Sequence, residues 1–269
     1  LNAKIDLGFV KKTNMSTRHL LVTVAFSFSL NQSTFALSDA ELDRIGRRVW
    51  QNECAGTRDG LTSWNAGENF ASLGIGHFIW YPRGVDGPFE ESFPKLVKFF
   101  QANGVKTPSW LESDCPWTSR ADFQADFRSA RMNELRDLLA SQVRLQSRFL
   151  ADRMRSALPK MLDAAPSAQR VHVRAQFDRL ATSGAGTFAL IDYVNFKGEG
   201  TNPKERYGGE GWGLLQVLAN MRDEARNAPA EFGRSAAAVL EARVRNSPPE
   251  RKESRWLAGW KKRVAAYGE

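Results

Sequence analysis

Glycine is concentrated in two stretches of this chain, and that placement limits the fold more than any other feature. Gly56, Gly60, Gly67, Gly74 and Gly76 crowd the first. Gly198, Gly200, Gly208, Gly209, Gly211 and Gly213 crowd the second. Each interior glycine costs a helix about 1 kcal/mol relative to alanine, so neither stretch reads as helix. Nearly everything between and beyond them shows apolar residues at helical spacing.

The helices can be placed from their own signals. Ser38 and Glu41 form a capping-box pattern, and the helix they open is expected over residues 39–52. Leu42, Ile45 and Val49 fall on one face of it. A short helix is expected over 93–102. Residues 120–164 read as two or three helices with a break near Pro159, because proline removes a helical N–H. Further helices are expected over 168–182, 187–195, 214–225, 230–245 and 253–267. Residues 56–67 read as turns and short strands, and the aromatic-rich run 70–81 as strand or tight β-turn. The expected class is therefore mainly α (α+β), with a small β-hairpin region near the N-terminal third. No linker divides residues 37–269, which are read as one domain.

The first glycine stretch also carries candidate chemistry. Glu53 closes the first expected helix, a rigid place from which to hold an acid. Glu68 follows in the run that ends Ser72-Leu73-Gly74-Ile75-Gly76-His77. Two carboxylates across a cleft are what glycosidic-bond hydrolysis requires. One gives a proton to the leaving oxygen, and the other directs water or meets developing positive charge. Asp59 is a rival second acid, although Asp-Gly is a common turn pair. Glu199, in the second glycine stretch, is another rival. Trp64, Asn65, His77, Tyr81, Asn195 and Glu199 are candidate sugar contacts. Most aromatic residues in such runs belong to a core, and Asn65 also suits a turn.

Residues 20–30 form an apolar run of eleven residues, too short to span a bilayer comfortably. Arg18 precedes it, and Thr34-Phe35-Ala36 ends it with small residues at the positions signal peptidase prefers. The expectation is a signal peptide within residues 1–36, with Met15 as the natural start, and a periplasmic or secreted product. Removing the four bases and one acid of residues 1–36 from the chain's 38 Lys/Arg and 30 Asp/Glu leaves a net charge of +5. That charge suits anionic wall polymers or membrane surfaces. The bases are scattered and no nucleic-acid signature is present, so nucleic acid is not an expected partner. The expected partner is a polysaccharide substrate, met by a monomer without an integral membrane segment. Cys54 and Cys115 are the two cysteines, and an oxidising compartment permits their pairing without requiring it. His19, His77 and His172 lack metal-ligand spacing, so neither a metal nor a cofactor is expected.

At Ser72-Leu73-Gly74-Ile75-Gly76-His77 the chain resembles the phage-type lysozymes, and the order of its acids is similar to that of the related chitosanases. The resemblance implies a lysozyme-like fold in which Glu53 is the general acid, Glu68 the second acid and Ser72 a hydroxyl that holds the attacking water. Its clear part covers residues 53–77. More loosely, residues 188–200 resemble the helix and glycine loop on the far side of such clefts. Arg255-Trp256, Gly259-Trp260, Arg263 and Tyr267 resemble the C-terminal Arg/Trp helix of many lysozymes. The chain departs from the phage enzymes in a longer spacing from Glu53 to His77, in Glu68 where they carry Asp, and in an extra helical middle. What the resemblance implies is an exported muramidase-like glycosidase that inverts at the anomeric carbon. Peptidoglycan is the first substrate, with chitosan-like glycans or a glucan as alternatives. A non-catalytic wall-binding protein is the competing reading. His77 is expected to be mainly structural, bonded to a neighbouring acid.

Overall fold

Ser38 does open the first helix, with both halves of the capping box in place: its Oγ accepts from the Glu41 N–H, and the Glu41 carboxylate accepts from the Ser38 N–H. The structure is a computed structural model that describes residues 37–87, 89–223 and 225–269. The expected signal peptide and Met15 start lie outside these residues. Helix α1 spans Asp39–Cys54 and buries Leu42, Ile45, Gly46 and Val49. It runs two residues further than its sequence pattern indicates, until Ala55 turns left-handed at φ 52° and Gly56 follows at φ 68°.

A three-stranded antiparallel sheet comes next: β1 (Thr62–Ser63), β2 (Ala71–Leu73) and β3 (Phe78–Trp80), in that order. Thr62 pairs with Leu73, and Leu73 pairs with Phe78. The strands are short because Gly67 and Gly74 each turn the chain at positive φ. At Gly74 the requirement is double, since a Cβ would also lie 2.4 Å from Oε1 of Gln146.

The remaining elements are helical apart from one small hairpin. Helix α2 is Phe93–Ala102, and α3, α4 and α5 are Arg120–Asp126, Ala130–Ser141 and Val143–Ala164. The expected break near Pro159 does not occur: Pro159 lies inside α5. Burial of Met154, Ala157 and Met161 around it holds the helix together despite the missing N–H. Helices α6 (Ser167–Ala181) and α7 (Gly184–Lys197) follow. The second glycine stretch contains the hairpin β4 (Arg206–Tyr207) and β5 (Glu210–Gly211). Helix α8 is only Leu214–Ala219, shorter than expected. The Arg222 backbone N–H instead donates to the Glu231 side chain. Helices α9 (Ala228–Asn246) and α10 (Ser254–Ala265) close the chain. The fold is mainly helical, with small antiparallel sheets.

Helix α5 packs against α1, α2, α6 and α7 and so forms the spine of the molecule. The sheet is tied to it through Gln146, which is fully buried. Its Oε1 accepts from the Ile75 N–H at 2.9 Å, and its Nε2 donates to the Leu139 carbonyl at 2.7 Å. Phe78 and Phe149 extend the contact edge to face, 5.5 Å between ring centres.

Candidate active site

Helix α1 delivers Glu53 in its last turn, and its carboxylate meets groups from three other parts of the chain. Arg263 on α10 donates to its Oε1 at 2.6 Å, and Asn195 on α7 donates to the same oxygen at 3.3 Å. His77 Nδ1, in the turn between β2 and β3, lies 3.7 Å from its Oε2. The Glu53 side chain keeps 16% of its surface in water. His77 is held left-handed at φ 49°, and its Nε2 is buried without a hydrogen-bond partner. Glu53 is an acid beside His77, at a separation beyond hydrogen-bond length.

Behind this carboxylate lies a second one. Asp192 on α7 is fully buried and accepts four hydrogen bonds from three residues. Arg263 grips it with Nε and Nη2, both at 2.8 Å; Tyr267 donates to it at 2.6 Å and Asn52 at 3.2 Å. Burial alone would lower the pKa of Arg263, but hydrogen bonds to Asp192 and the charges of Asp192 and Glu53 hold it above its ordinary value. One guanidinium therefore serves two carboxylates. Asp192 was not singled out from the sequence. Its signal was there: it is the one acid in the otherwise apolar run Thr187–Asn195.

A ladder of rings and basic side chains leads away from Arg263. The Arg263 guanidinium lies 4.2 Å from the centre of the Phe196 ring. Lys197 Nζ lies 4.0 Å from that ring's centre and 3.5 Å from that of Trp260. Arg243 lies 5.1 Å from Trp260 and 4.1 Å from Trp212, and its guanidinium also pairs with the buried Glu253 at 2.7 Å. Burial first, then the nearby charge of Arg243, pushes the Lys197 pKa down to about 6.

The other expected site residues are placed differently. Glu68 lies in the connection between β1 and β2, whereas Glu53 meets the turn between β2 and β3. These are opposite ends of strand β2. Three residues of strand span about 10 Å, and the two carboxylates share no hydrogen-bond partner. Glu68 is held by Asn65, which donates to it at 3.1 Å. Ser72 is a buried β2 residue whose carbonyl accepts from the Ser63 hydroxyl. Trp64 packs edge to face on Phe123, and Tyr81 on Phe70; both are buried. Glu199 follows α7 and is paired with Lys160 at 2.8 Å. Asp59 faces Arg128 and Arg136.

Cys54 and Cys115 are both free and buried. The Cys54 thiol donates to the Gly74 carbonyl; burial, then the charge of Glu53, raises its pKa to about 12, which disfavours the thiolate. Among the described residues no group of three or more His, Cys, Asp or Glu could hold a metal ion, and no helix is long and apolar enough to cross a membrane. Two surface hollows lie elsewhere, one bounded by Asp39, Asp43 and Arg144, the other by Pro166, Arg206 and Leu215; Glu53 lines neither. In the first, Asp39 and Asp43 are already paired with the exposed Arg144; the Glu53 cluster, more buried and drawn from several elements, is the stronger candidate. Comparison of the chain with protein-family models, with curated proteins and with solved structures returns no match.

Proposed function

We propose that the chain is an exported glycosidase that cleaves β-1,4 bonds in an amino-sugar polymer, peptidoglycan first, with Glu53 as the acid. The observation that carries this reading is the single guanidinium shared by Glu53 and Asp192. Asp192 is sealed in, and Arg263, Tyr267 and Asn52 fill both of its oxygens. Glu53 is the carboxylate nearer water, and Arg263 holds only one of its oxygens. Arg263 and Asn195 both hold Oε1, which leaves Oε2 to face the leaving oxygen of a substrate. Fixing the acid in this way is the positioning that general-acid catalysis needs.

Glu68 is the second carboxylate in this reading. Asn65 binds one of its oxygens, whereas Glu199 is neutralised by Lys160. An inverting reaction requires about 6.5–9.5 Å between the two carboxyl groups. The placement of Glu68 at the far end of β2 favours a second reading, lytic transglycosylation, which can dispense with that acid. Incubation of the protein and its Glu53→Gln variant with peptidoglycan, chitosan and glucans, followed by mass spectrometry, tests both. Glu53→Gln is expected to lower product release by about 10²–10⁴-fold, the range of general-acid effects. Products with anhydro ends identify transglycosylation; reducing ends identify hydrolysis. Binding without release, unchanged in Glu53→Gln, sinks the catalytic reading and leaves a wall-binding protein.

A further inference from the structure

Helix α10 contributes little to the core, since Val264 is its one buried residue. Yet it carries two tryptophans, and Trp256 is 41% exposed. At 100° per residue, Trp256, Gly259, Trp260 and Arg263 fall within one face of the helix. The two indoles are stacked, 5.9 Å between centres and 29° between planes. Lys197 pins Trp260 from the α7 side. The Arg255 guanidinium lies 4.3 Å from the centre of the Trp256 ring.

Gly259 has no packing reason to be glycine. A Cβ there would meet nothing within 4 Å, and the backbone does not need positive φ. A helical glycine lowers stability, so an unforced one beside two indoles marks a place kept open for close approach to the backbone.

The geometry points to a sugar-binding shelf formed by Trp256, Gly259 and Trp260, which holds the polysaccharide on one side of the Glu53 site. The proposal rests on the reading of Glu53 as the acid of a polysaccharide-cleaving site. The shelf continues that site, because Arg263 on the same helical face touches Glu53. Seven residues of helix separate Trp256 from Arg263, about 10 Å, so the shelf takes a sugar removed from the bond that is cut. The flat C–H face of a pyranose covers the indoles and the notch over Gly259. Arg255 is displaced from the ring and donates to hydroxyls at its edge.

The test uses the full chain in a Glu53→Gln background, sedimented with insoluble peptidoglycan or chitosan, and in parallel with anionic phospholipid vesicles. Trp256→Ala and Gly259→Leu are each expected to weaken polysaccharide binding about tenfold or more. Gly259→Leu separates loss of the shelf from loss of fold, because leucine favours the helix and the melting temperature should not fall. Parental binding in both variants overturns the proposal, as does a parent that binds vesicles and neither polymer. The same substitutions with Glu53 intact should raise KM for long chains and leave kcat unchanged. Failure of Glu53-dependent product release refutes the catalytic reading, whereas the sedimentation result stands or falls separately.

Discussion

Asp192 and Glu231 are both carboxylates taken out of water and met by arginine, yet they do different work. Glu231, in the first turn of α9, has two guanidinium partners, Arg222 at 2.8 Å and Arg234. The hydrogen bond from Arg234 comes first among the causes that hold its pKa well below the carboxylate range, against the opposing effect of burial. Asp192 shares its single arginine with Glu53. Two cations around one acid make a closed staple between α9 and the segment after α8. One cation between two acids leaves Glu53 with a shared guanidinium, partly open to water and beside a histidine. The count of charges, more than burial, separates scaffold from candidate site.

The largest expected effect on stability comes from breaking the shared cation. Arg263→Met strands Asp192 in the interior and should cost about 3–5 kcal/mol in urea unfolding, the usual cost of orphaning a buried charge. A loss below 1 kcal/mol would show that Asn52 and Tyr267 suffice for Asp192. Restoring balance with Asp192→Asn in the same chain should recover part of the loss, as a double-mutant cycle would measure.

Glu231→Gln should cost less, about 1–3 kcal/mol at neutral pH, because Gln still accepts from the arginines. Its signature is in acid. The folded-state pKa of Glu231 is depressed, so its contribution is present above the unfolded value near 4.5 and is lost as pH falls through the lower folded value. The variant's melting temperature should therefore converge on the parent's as the solution is acidified. A constant gap down to pH 2 would remove the ionic account of the staple.

An effect of opposite kind, visible as a slope with pH, belongs to Lys197. Its folded pKa of about 6 lies below the ordinary lysine value of 10.5, so the unfolded chain binds the extra proton between these limits and stability rises with pH across them. Lys197→Met should flatten that rise in a series of thermal melts from pH 6 to 10. An unchanged slope would place the lysine's ammonium in water.

The fold class was legible because two local signals agreed. Ser38 and Glu41 fixed the start of α1, and the glycines at 56–76 confined the first sheet. Pro159 and the end of α8 were misread for the same reason: tertiary contacts override local preference. Met154 and Met161 hold α5 through the proline, and Glu231 captures the Arg222 N–H beyond α8. At the candidate site, Glu53, His77 and Asn195 were separate candidates along the sequence, and the fold brings them together. Spacing along the chain could not show which end of β2 each acid would occupy, since that depends on strand register. Asp192 and Arg263 lie 71 residues apart, and only their packing reveals that one charge answers the other.

Gln146 has a further consequence. Its one amide joins the turn that carries His77 to the last turn of α4 and the body of α5. The Ile75 amide proton should then exchange with solvent only when that helical spine opens, although the neighbouring strands are three residues long or shorter. In exchange experiments, Ile75 would report on the cooperative unit of α5 and not on fraying of the small sheet. The turn thus inherits its permanence from a helix that lies more than sixty residues later in the chain.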